Sequence, residues 1–222
     1  MKIVNLFREL FKGNYDYFFH NITWRFPMRL VYYCRTVLIL SQKPEFSAPK
    51  QTEYFARIAT EKDCELLKQF GYTEQFILSR LSDGDKCSIV EKDNELLSCI
   101  WGTTHKRFQL YAGSIFDPGT DGFFLYSGYT RKDHRRKGLT RIARDFLYKE
   151  YSKEKRTRLY AITNKLNTSQ LLFYKKCNSE IVGETLYVIF LGIHFCYYFK
   201  WPTATKKLDI FIKCPPENMK WV

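Results

Sequence analysis

A run of basic residues around a single glycine is the part of this sequence best suited to hold a phosphorylated ligand. The run reads Tyr129-Thr130-Arg131-Lys132-Asp133-His134-Arg135-Arg136-Lys137-Gly138-Leu139-Thr140 and precedes a predicted amphipathic helix. The first backbone N–H groups of a helix have no partner within it, and the helix dipole adds positive potential there. Glycine also lets a ligand approach the backbone closely. The pattern therefore predicts a pyrophosphate site, and a solvated basic loop is the alternative reading.

A second stretch carries a tyrosine suited to proton transfer. It reads Asn167-Thr168-Ser169-Gln170-Leu171-Leu172-Phe173-Tyr174-Lys175-Lys176 and is a predicted helix with Asn167 as its cap. Phe173 is predicted to pack inward, with Tyr174 at the edge of that face. A tyrosine, whose ordinary pKa is ~10, can protonate a departing thiolate. A core tyrosine bonded to the backbone is the alternative.

These two motifs, in this order, resemble those of the GNAT acetyltransferase superfamily. The first motif of that superfamily is Q/R-x-x-G-x-G/A, and Arg135 to Thr140 match it with threonine at the last position. Its second motif often runs N-x-x-A-x-x-L-Y-x-K, which Asn167, Tyr174 and Lys176 match, with Phe173 at the leucine position and glutamine at the alanine position. The resemblance covers roughly residues 53–200.

The resemblance implies a fold of the α/β (α+β) class. We expect a mixed, mostly antiparallel central sheet that is flanked by helices and splayed in the middle, between the strands at 123–130 and 158–162. Residues 50–222 form the GNAT-like acyltransferase domain in this interpretation. Residues 1–49 lie outside the resemblance and are assigned to an N-terminal aromatic and basic extension.

The resemblance also implies acetyl-CoA as co-substrate, with no metal. Pantetheine would pair with backbone near Gly128 and Thr130, and Tyr174 would protonate the departing CoA thiolate. The implied cofactor-binding residues are Gly128, Thr130, Arg135, Arg136, Lys137, Gly138, Leu139, Thr140, Arg141 and Asn167. Asp117, Asp121 and His105 are candidates for a general base, and for each a surface or turn role is the alternative reading.

The elements around these motifs alternate between strands and helices, as a mixed α/β domain requires. Strands are predicted at 54–59, 86–92, 95–104, 108–115, 123–130, 158–162, 181–191 and 194–201. Helices are predicted at 61–70, 73–81, 138–150 and 168–177.

The formal net charge of +13 favours an anionic ligand, substrate or surface. Lys and Arg are spread along the chain, and the aromatic residues do not form the pattern of RNA-recognition modules, so nucleic acid is disfavoured. Cysteines number seven without a C-x-x-C pair, which disfavours a disulfide framework or a zinc site. Scattered thiols and the lack of an apolar signal-peptide core indicate a cytoplasmic protein.

Three functions remain open at this point. The first is N-acetyl transfer to a primary amine, of a small molecule or amino sugar. The second is transfer of a longer acyl chain from acyl-CoA or an acyl carrier protein, and the third is a non-catalytic basic module that binds nucleic acid or membrane. In the extension, a helical face with nearby arginines indicates either peripheral membrane contact or packing on the domain; these residues are Ile3, Leu6, Phe7, Leu10, Arg29 and Arg35.

Overall fold

The computed structural model of the protein describes residues 31–42, 53–109, 114–191, 193–200 and 207–211, with Lys12, Asn14 and Pro202 as single residues. The chain forms two compact units. The first unit comprises residues 41–105 and 118–161, and the second unit comprises residues 1–40, 106–117 and 162–222.

Strands and helices alternate through most of the described chain. The strands are β1 (Val31–Gln42), β2 (Phe55–Ile58), β3 (Lys86–Lys92), β4 (Glu95–Thr103), β5 (Arg107–Gln109), β6 (Ser114–Phe116), β7 (Gly122–Thr130), β8 (Arg158–Asn164), β9 (Glu180–Phe190), β10 (Ile193–Lys200) and β11 (Leu208–Phe211). The α-helices are α1 (Cys64–Lys68), α2 (Glu74–Ser82), α3 (Leu139–Ser152) and α4 (Thr168–Lys176). Two single turns of 3-10 helix lie at Glu61–Asp63 and Lys132–His134.

The first unit is built on a sheet with the strand order β8-β7-β4-β3-β2. Its pairs are antiparallel except for β7 and β8, which run parallel from Gly122 opposite Arg158 to Leu125 opposite Ala161. Beyond that point β7 remains paired with β4. The expected mixed, mostly antiparallel sheet is confirmed, and the pairing of β7 with β8 ends where the splay was predicted.

Tyr151 anchors helix α3 to this sheet. The Tyr151 hydroxyl donates a hydrogen bond of 2.7 Å to the Gly102 carbonyl, and the Tyr151 ring stacks on Phe123 with centroids 4.4 Å apart. A Cβ at Gly102 would lie 2.8 Å from Tyr151 Cε2, so only glycine allows this approach. The predicted apolar face of α3 is buried at Leu139, Ala143, Leu147 and Tyr151.

The second unit contains an antiparallel sheet with the order β11-β10-β9-β1, the β5–β6 hairpin and helix α4. Strand β1 comes from the segment that the sequence set apart as an extension, and it pairs with β9 from Val31 opposite Phe190 to Leu40 opposite Glu180. The sequence patterns predicted neither β1 nor β11. Strand β1 obtains its backbone partner from β9, which is distant in sequence, whereas β11 pairs with β10, the strand that precedes it.

Two predicted elements are wrong in detail. The single strand expected at 108–115 is two short strands, β5 and β6, which pair with each other. The sequence of that stretch contains Gly113, and glycine is a turn signal that the prediction of a single strand did not take into account. The helix expected at 61–70 is a 3-10 turn followed by the short helix α1.

Part of the sequence prediction lies outside the described residues, namely the helical face at Ile3, Leu6, Phe7 and Leu10 with Arg29. Among the helices that the structure does describe, none is both long enough and apolar enough to cross a membrane.

An ion pair ties strand β2 to the start of the first helical segment. The Arg57 guanidinium donates to both carboxylate oxygens of Asp63, at 2.6 and 2.8 Å, and also contacts Glu91 on β3 at 2.9 Å. The Thr60 N–H donates to the same Asp63 carboxylate at 2.7 Å, which forms a capping box. The hydrogen bonds from Arg57 hold the pKa of Asp63 below its ordinary value.

We expect Asp63→Asn to lower the free energy of unfolding by about 2 kcal/mol at pH 7, because charge-assisted hydrogen bonds are lost. The folded-state pKa of Asp63 is depressed, so its stabilisation is complete above the unfolded-state pKa of ~3.9. It is lost as the pH falls through the folded-state pKa. Urea unfolding at neutral pH and near pH 3 therefore tests whether the difference from wild type shrinks in acid.

The control is Glu65→Gln, which removes an exposed carboxylate that forms a surface ion pair with Lys68. We expect a change in unfolding free energy of ~0.5 kcal/mol or less for this variant. A difference between wild type and Asp63→Asn that stays constant from neutral to acid pH would contradict the assignment.

Candidate functional site

The second half of β7 is interrupted by a bulge. Ser127 and Gly128 lie opposite the single residue Ile100, because the register with β4 shifts between Cys99 and Trp101. Ser127 has a φ of 44°, in the left-handed region that non-glycine residues seldom adopt. A bulge leaves a residue unpaired and turns the strand locally, so it changes which backbone groups β7 presents at this edge.

A tyrosine from the loop between α1 and α2 holds this bulge. The Tyr72 hydroxyl donates a short hydrogen bond to the Ser127 carbonyl, and the Tyr72 ring stacks on Phe76 with centroids 5.4 Å apart. Burial raises the pKa of Tyr72, so its hydroxyl remains protonated and available as a donor. The motifs did not identify Tyr72 or the bulge, although a lone Gly128 inside a strand pattern is a known bulge signal.

Helix α3 begins at Gly138, which adopts a φ of 81° and ψ of 6°. No side chain caps this end, and no acidic residue lies in the first turn. Arg136 also has a positive φ, of 65°. In the part of the chain that the structure describes, the N–H groups of residues 136–140 have no hydrogen bond to a protein acceptor. An uncapped helix start of this kind fits an anion.

Positive charge around this helix start is only partly neutralised. Arg131 pairs with Glu95 and Asp133, and Arg141 lies 3.6 Å from the Asp145 carboxylate. Arg136 is exposed and has no ion pair among the described residues. Two further exposed cations make only weak contacts: Arg135 Nε with the Thr130 carbonyl at 3.3 Å, and Lys137 Nζ with His134 Nδ1 at 3.5 Å.

A chain of three hydroxyl groups joins the end of β7 to the first turn of α3. Ser98 donates to the Tyr129 carbonyl at 2.8 Å and lies 2.7 Å from the Thr130 hydroxyl, which lies 3.0 Å from the Thr140 hydroxyl. Because the Ser98 proton is used on Tyr129, Thr130 must donate to Ser98, and Thr140 must then donate to Thr130. The Thr140 hydroxyl is therefore engaged with the protein, and only its backbone N–H remains available to a ligand.

The structure thus brings together, in the first unit, the predicted residues Gly128, Thr130 and 135–141. Leu139 differs from its neighbours because its side chain is buried, so it can serve a ligand only through its backbone. Asn167 and Tyr174 belong to the second unit. The Asn167 side chain accepts a hydrogen bond of 3.2 Å from the Gln170 N–H, so its predicted role as a helix cap is confirmed.

Tyr174, and not Phe173, is the buried aromatic residue of α4. The prediction that Phe173 packs inward with Tyr174 at the edge is wrong. The two rings meet edge to face with centroids 5.3 Å apart. The helix ends with the Tyr174 carbonyl accepting from Cys177 N–H, and Asn178 adopts a φ of 52°, in the left-handed region that asparagine tolerates.

The candidates for a general base occupy ordinary positions. The Asp121 carboxylate lies 3.2 Å from Arg158 Nε and is half-exposed. His105 is exposed, and its Nε2 is the nearest atom to a Cβ built on Gly84, at 3.9 Å. Asp117 belongs to the second unit and is also exposed. Their placement supplies no contact that singles out one of them as a base.

Comparison with known proteins identifies solved structures with a similar fold. No family model matches the sequence, and no curated protein matches it at a significant level. A solved structure from Novosphingobium aromaticivorans, described as an acetyltransferase of the GNAT family, shares 11% identity and a TM-score of 0.52, over 70% of this chain and 63% of its own. A conserved protein of unknown function from Staphylococcus epidermidis shares 4% identity and a TM-score of 0.53, over 71% and 62%.

A Drosophila protein shares 12% identity and a TM-score of 0.50, over 71% of this chain and 51% of its own. This chain therefore spans less than two thirds of the length of these three structures. At such identities the likeness concerns the fold. The protein has the fold of the GNAT acetyltransferases, and the resemblance that the two motifs carry is confirmed at that level.

We expect Thr140→Ala to lower the free energy of unfolding by about 1 kcal/mol, because one hydroxyl hydrogen bond is lost. Thr140→Ser retains the hydroxyl and serves as the control, with a smaller change. Chemical denaturation of both variants measures the difference. Equal destabilisation by alanine and serine would show that the three-hydroxyl chain contributes no stability.

Proposed function

We propose that this protein is an acyl-CoA-dependent N-acyltransferase that transfers an acetyl group from acetyl-CoA to a primary amine of a small molecule. The observation that carries the proposal is the uncapped N-terminus of α3, with its unpartnered N–H groups and exposed cations. It follows directly on the bulged end of β7, in a chain with the GNAT fold.

The residues present fit the phosphates of such a donor. N–H groups of residues 136–140 supply hydrogen-bond donors without a protein acceptor in the described chain, and Arg135, Arg136 and Lys137 supply charge. The αL conformation of Gly138 turns the chain into the helix, and no atom lies within 4 Å of a Cβ built there. A pyrophosphate can therefore approach the backbone without meeting a side chain at this position.

The same region offers backbone to the pantetheine arm. Pairing of β7 with β8 ends at Leu125, and the bulge at Ser127 and Gly128 lies beyond that point. Among the described residues, β7 has no strand pairing with β8 beyond Leu125, so backbone amides and carbonyls on the edge of β7 away from β4 are available to the amide groups of an extended ligand. We assign this role to the backbone at Gly128 and Thr130.

The thioester of the donor supplies an activated acyl group. The neutral amine attacks its carbonyl carbon, which forms the carbon–nitrogen bond of a tetrahedral intermediate. As the intermediate collapses, the carbon–sulfur bond breaks and the nitrogen loses a proton to water. The departing thiolate takes a proton, for which we propose the Tyr174 hydroxyl as donor on the basis of the family motif, and Tyr174 regains a proton from water. Holding both reactants in one complex lowers the activation entropy cost, so a strong base is not required.

The charge of the protein bears on the acceptor. A net charge of +13 repels polyamines and attracts acceptors that carry phosphate or carboxylate groups. We therefore favour a small amine or an amino sugar with an anionic substituent over a polycation. A longer acyl chain, delivered by acyl-CoA or an acyl carrier protein, is the alternative donor.

Thermal unfolding with and without acetyl-CoA tests the donor site. A ligand that binds only the folded state adds ~2.7 kcal/mol of stability at a hundredfold excess over its Kd. For a chain of this size the melting temperature should then rise by roughly 5–10 °C. Gly138→Asp should abolish the rise, because it places a carboxylate where the phosphates are expected and forces an unfavourable backbone.

Gly84→Asp is the matched control. Gly84 is exposed, has a φ of 83°, and a Cβ built there has its nearest neighbour, His105 Nε2, at 3.9 Å, so aspartate there carries the same kind of backbone strain. Gly84 is remote from the start of α3, because Lys86, two residues later, pairs with Glu154 beyond the opposite end of that helix. We expect this variant to melt lower without ligand and to retain the rise with acetyl-CoA. A rise only with longer acyl-CoA species would select the alternative donor, and no rise with any CoA species would refute the proposed function.

We expect Tyr174→Phe to lower kcat by about 100-fold while leaving the acetyl-CoA melting shift unchanged, because it removes a proton donor and not a binding group. Release of free thiol in the presence of an accepted amine measures kcat. Tyr148→Phe is the control, since Tyr148 is also a buried tyrosine and its hydroxyl donates to the Thr157 carbonyl at 3.3 Å. Unchanged turnover in Tyr174→Phe would assign the proton to water or another group.

A further inference from the structure

The tip of the β9–β10 hairpin exposes a group of large apolar side chains. Strand β9 ends at Phe190 and β10 begins at Ile193, so only two residues connect them. The exposed fractions are 54% for Phe190, 65% for Leu191 and 38% for Ile193. The residues that connect the two strands of a hairpin are normally polar, because they are exposed to solvent.

Backbone conformation at the tip makes the leucine more unusual. Leu191 has a φ of 50°, in the left-handed region that two-residue hairpins fill with asparagine, aspartate or glycine. The other non-glycine residues at positive φ in the described chain are all polar. Asp93, Asn94 and Asn178 are of types that tolerate this conformation, and the others are Ser127, Arg136 and Lys155. An asparagine would form this turn at lower cost and would also be hydrated. The fold therefore gives no reason for a leucine here.

The apolar tip continues along one face of the sheet. Ile193 pairs with Phe190, and farther along the strands Tyr197 pairs with Leu208. The other side chains of β10, at His194, Cys196 and Tyr198, are buried, so they lie on the opposite face. Four further apolar residues are exposed at 38% or more, namely Tyr197, Phe199, Leu208 and Ile210.

Charge argues for the occupant of this surface. A second copy of a chain with a net charge of +13 would be repelled, whereas an anionic surface would attract it. Exposed Lys200 follows Phe199 at the end of β10, and exposed Lys207 precedes Leu208 at the start of β11. Proteins that lie on anionic bilayers combine apolar side chains, which enter the bilayer, with aromatic residues and lysines at the level of the headgroups.

We propose that the β9–β10 hairpin is a membrane-docking element, whose Phe190–Ile193 tip enters the boundary between headgroups and acyl chains of an anionic bilayer. The hairpin lies tilted, with its apolar face toward the bilayer surface, so that Tyr197 and Phe199 lie at headgroup level and Lys200 and Lys207 contact lipid phosphates. This docking requires no acyl transfer, so it stands independently of the proposed enzymatic function.

The test is co-sedimentation of the full chain with vesicles of equal parts phosphatidylcholine and phosphatidylserine, beside vesicles of phosphatidylcholine alone. Wild type should bind the anionic vesicles and bind less as salt is raised. Leu191→Asn should lower the partition coefficient about tenfold or more, because a leucine side chain no longer leaves water. It should not lower the melting temperature, because asparagine suits the left-handed turn.

Leu172→Asn is the matched control. Leu172 lies on α4 in the same unit, has a similar exposed fraction of 58%, and is not part of the hairpin. Its partition coefficient should stay within about twofold of wild type, the range of an ordinary surface substitution.

Several results would overturn the proposal. These are a wild type that stays in the supernatant with anionic vesicles, a Leu191→Asn variant that binds as wild type does, or an equal loss in Leu172→Asn. A lower melting temperature in Leu191→Asn would show that the chain itself covers the tip. Self-association of wild type that is abolished in Leu191→Asn, without vesicle binding, would assign the tip to an interface between copies.

Discussion

The proposed site depends on backbone groups of the first unit that have no protein partner among the described residues. Pairing between β7 and β8 stops at Leu125 and Ala161, and within the described residues the N–H groups of 136–140 donate to no protein atom. Buried backbone groups without partners are costly, so such a region must meet water or a ligand. The loop and the uncapped start of α3 are exposed, so their N–H groups can meet water or a ligand, and the cations around them favour an anionic ligand.

The remainder of the first unit positions these groups. Tyr151 approaches the sheet over Gly102 and fixes α3, while Tyr72 holds the bulge at Ser127 through its hydroxyl. The Ser98–Thr130–Thr140 hydroxyl chain joins strand end to helix start. Each contact is worth only about 1 kcal/mol, yet together they fix the bulged end of β7 and the start of α3 relative to the sheet. A preorganised backbone loses less entropy when a ligand binds.

The two proposals use the same excess charge in different ways. At the start of α3, cations lie beside oriented N–H groups, which favours compact phosphates. At the β9–β10 hairpin, lysines lie behind apolar side chains, which favours an extended anionic surface. The residues that distinguish these uses are Gly138 and Leu191, both at positive φ. The glycine is suited to that conformation, whereas the leucine is not. The backbone therefore does not account for leucine at the hairpin tip, and we attribute it to the apolar surface that its side chain exposes.

Local patterns in the sequence were sufficient for the elements that carry the donor loop. The apolar spacing of α3, the glycine at its start and the Asn167 cap depend on neighbours within a few residues, so they can be read directly. The burial of Tyr174 in place of Phe173 could not be read in this way, because consecutive helix positions lie ~100° apart and tertiary packing decides which of them is turned toward the core. Nor could the pairing of β1 with β9, where Arg35 and Glu184 meet across 149 residues of sequence. Strand pairing and bulges are made by backbone groups that every residue shares, so side-chain patterns do not encode them and only the folded chain decides which strands meet.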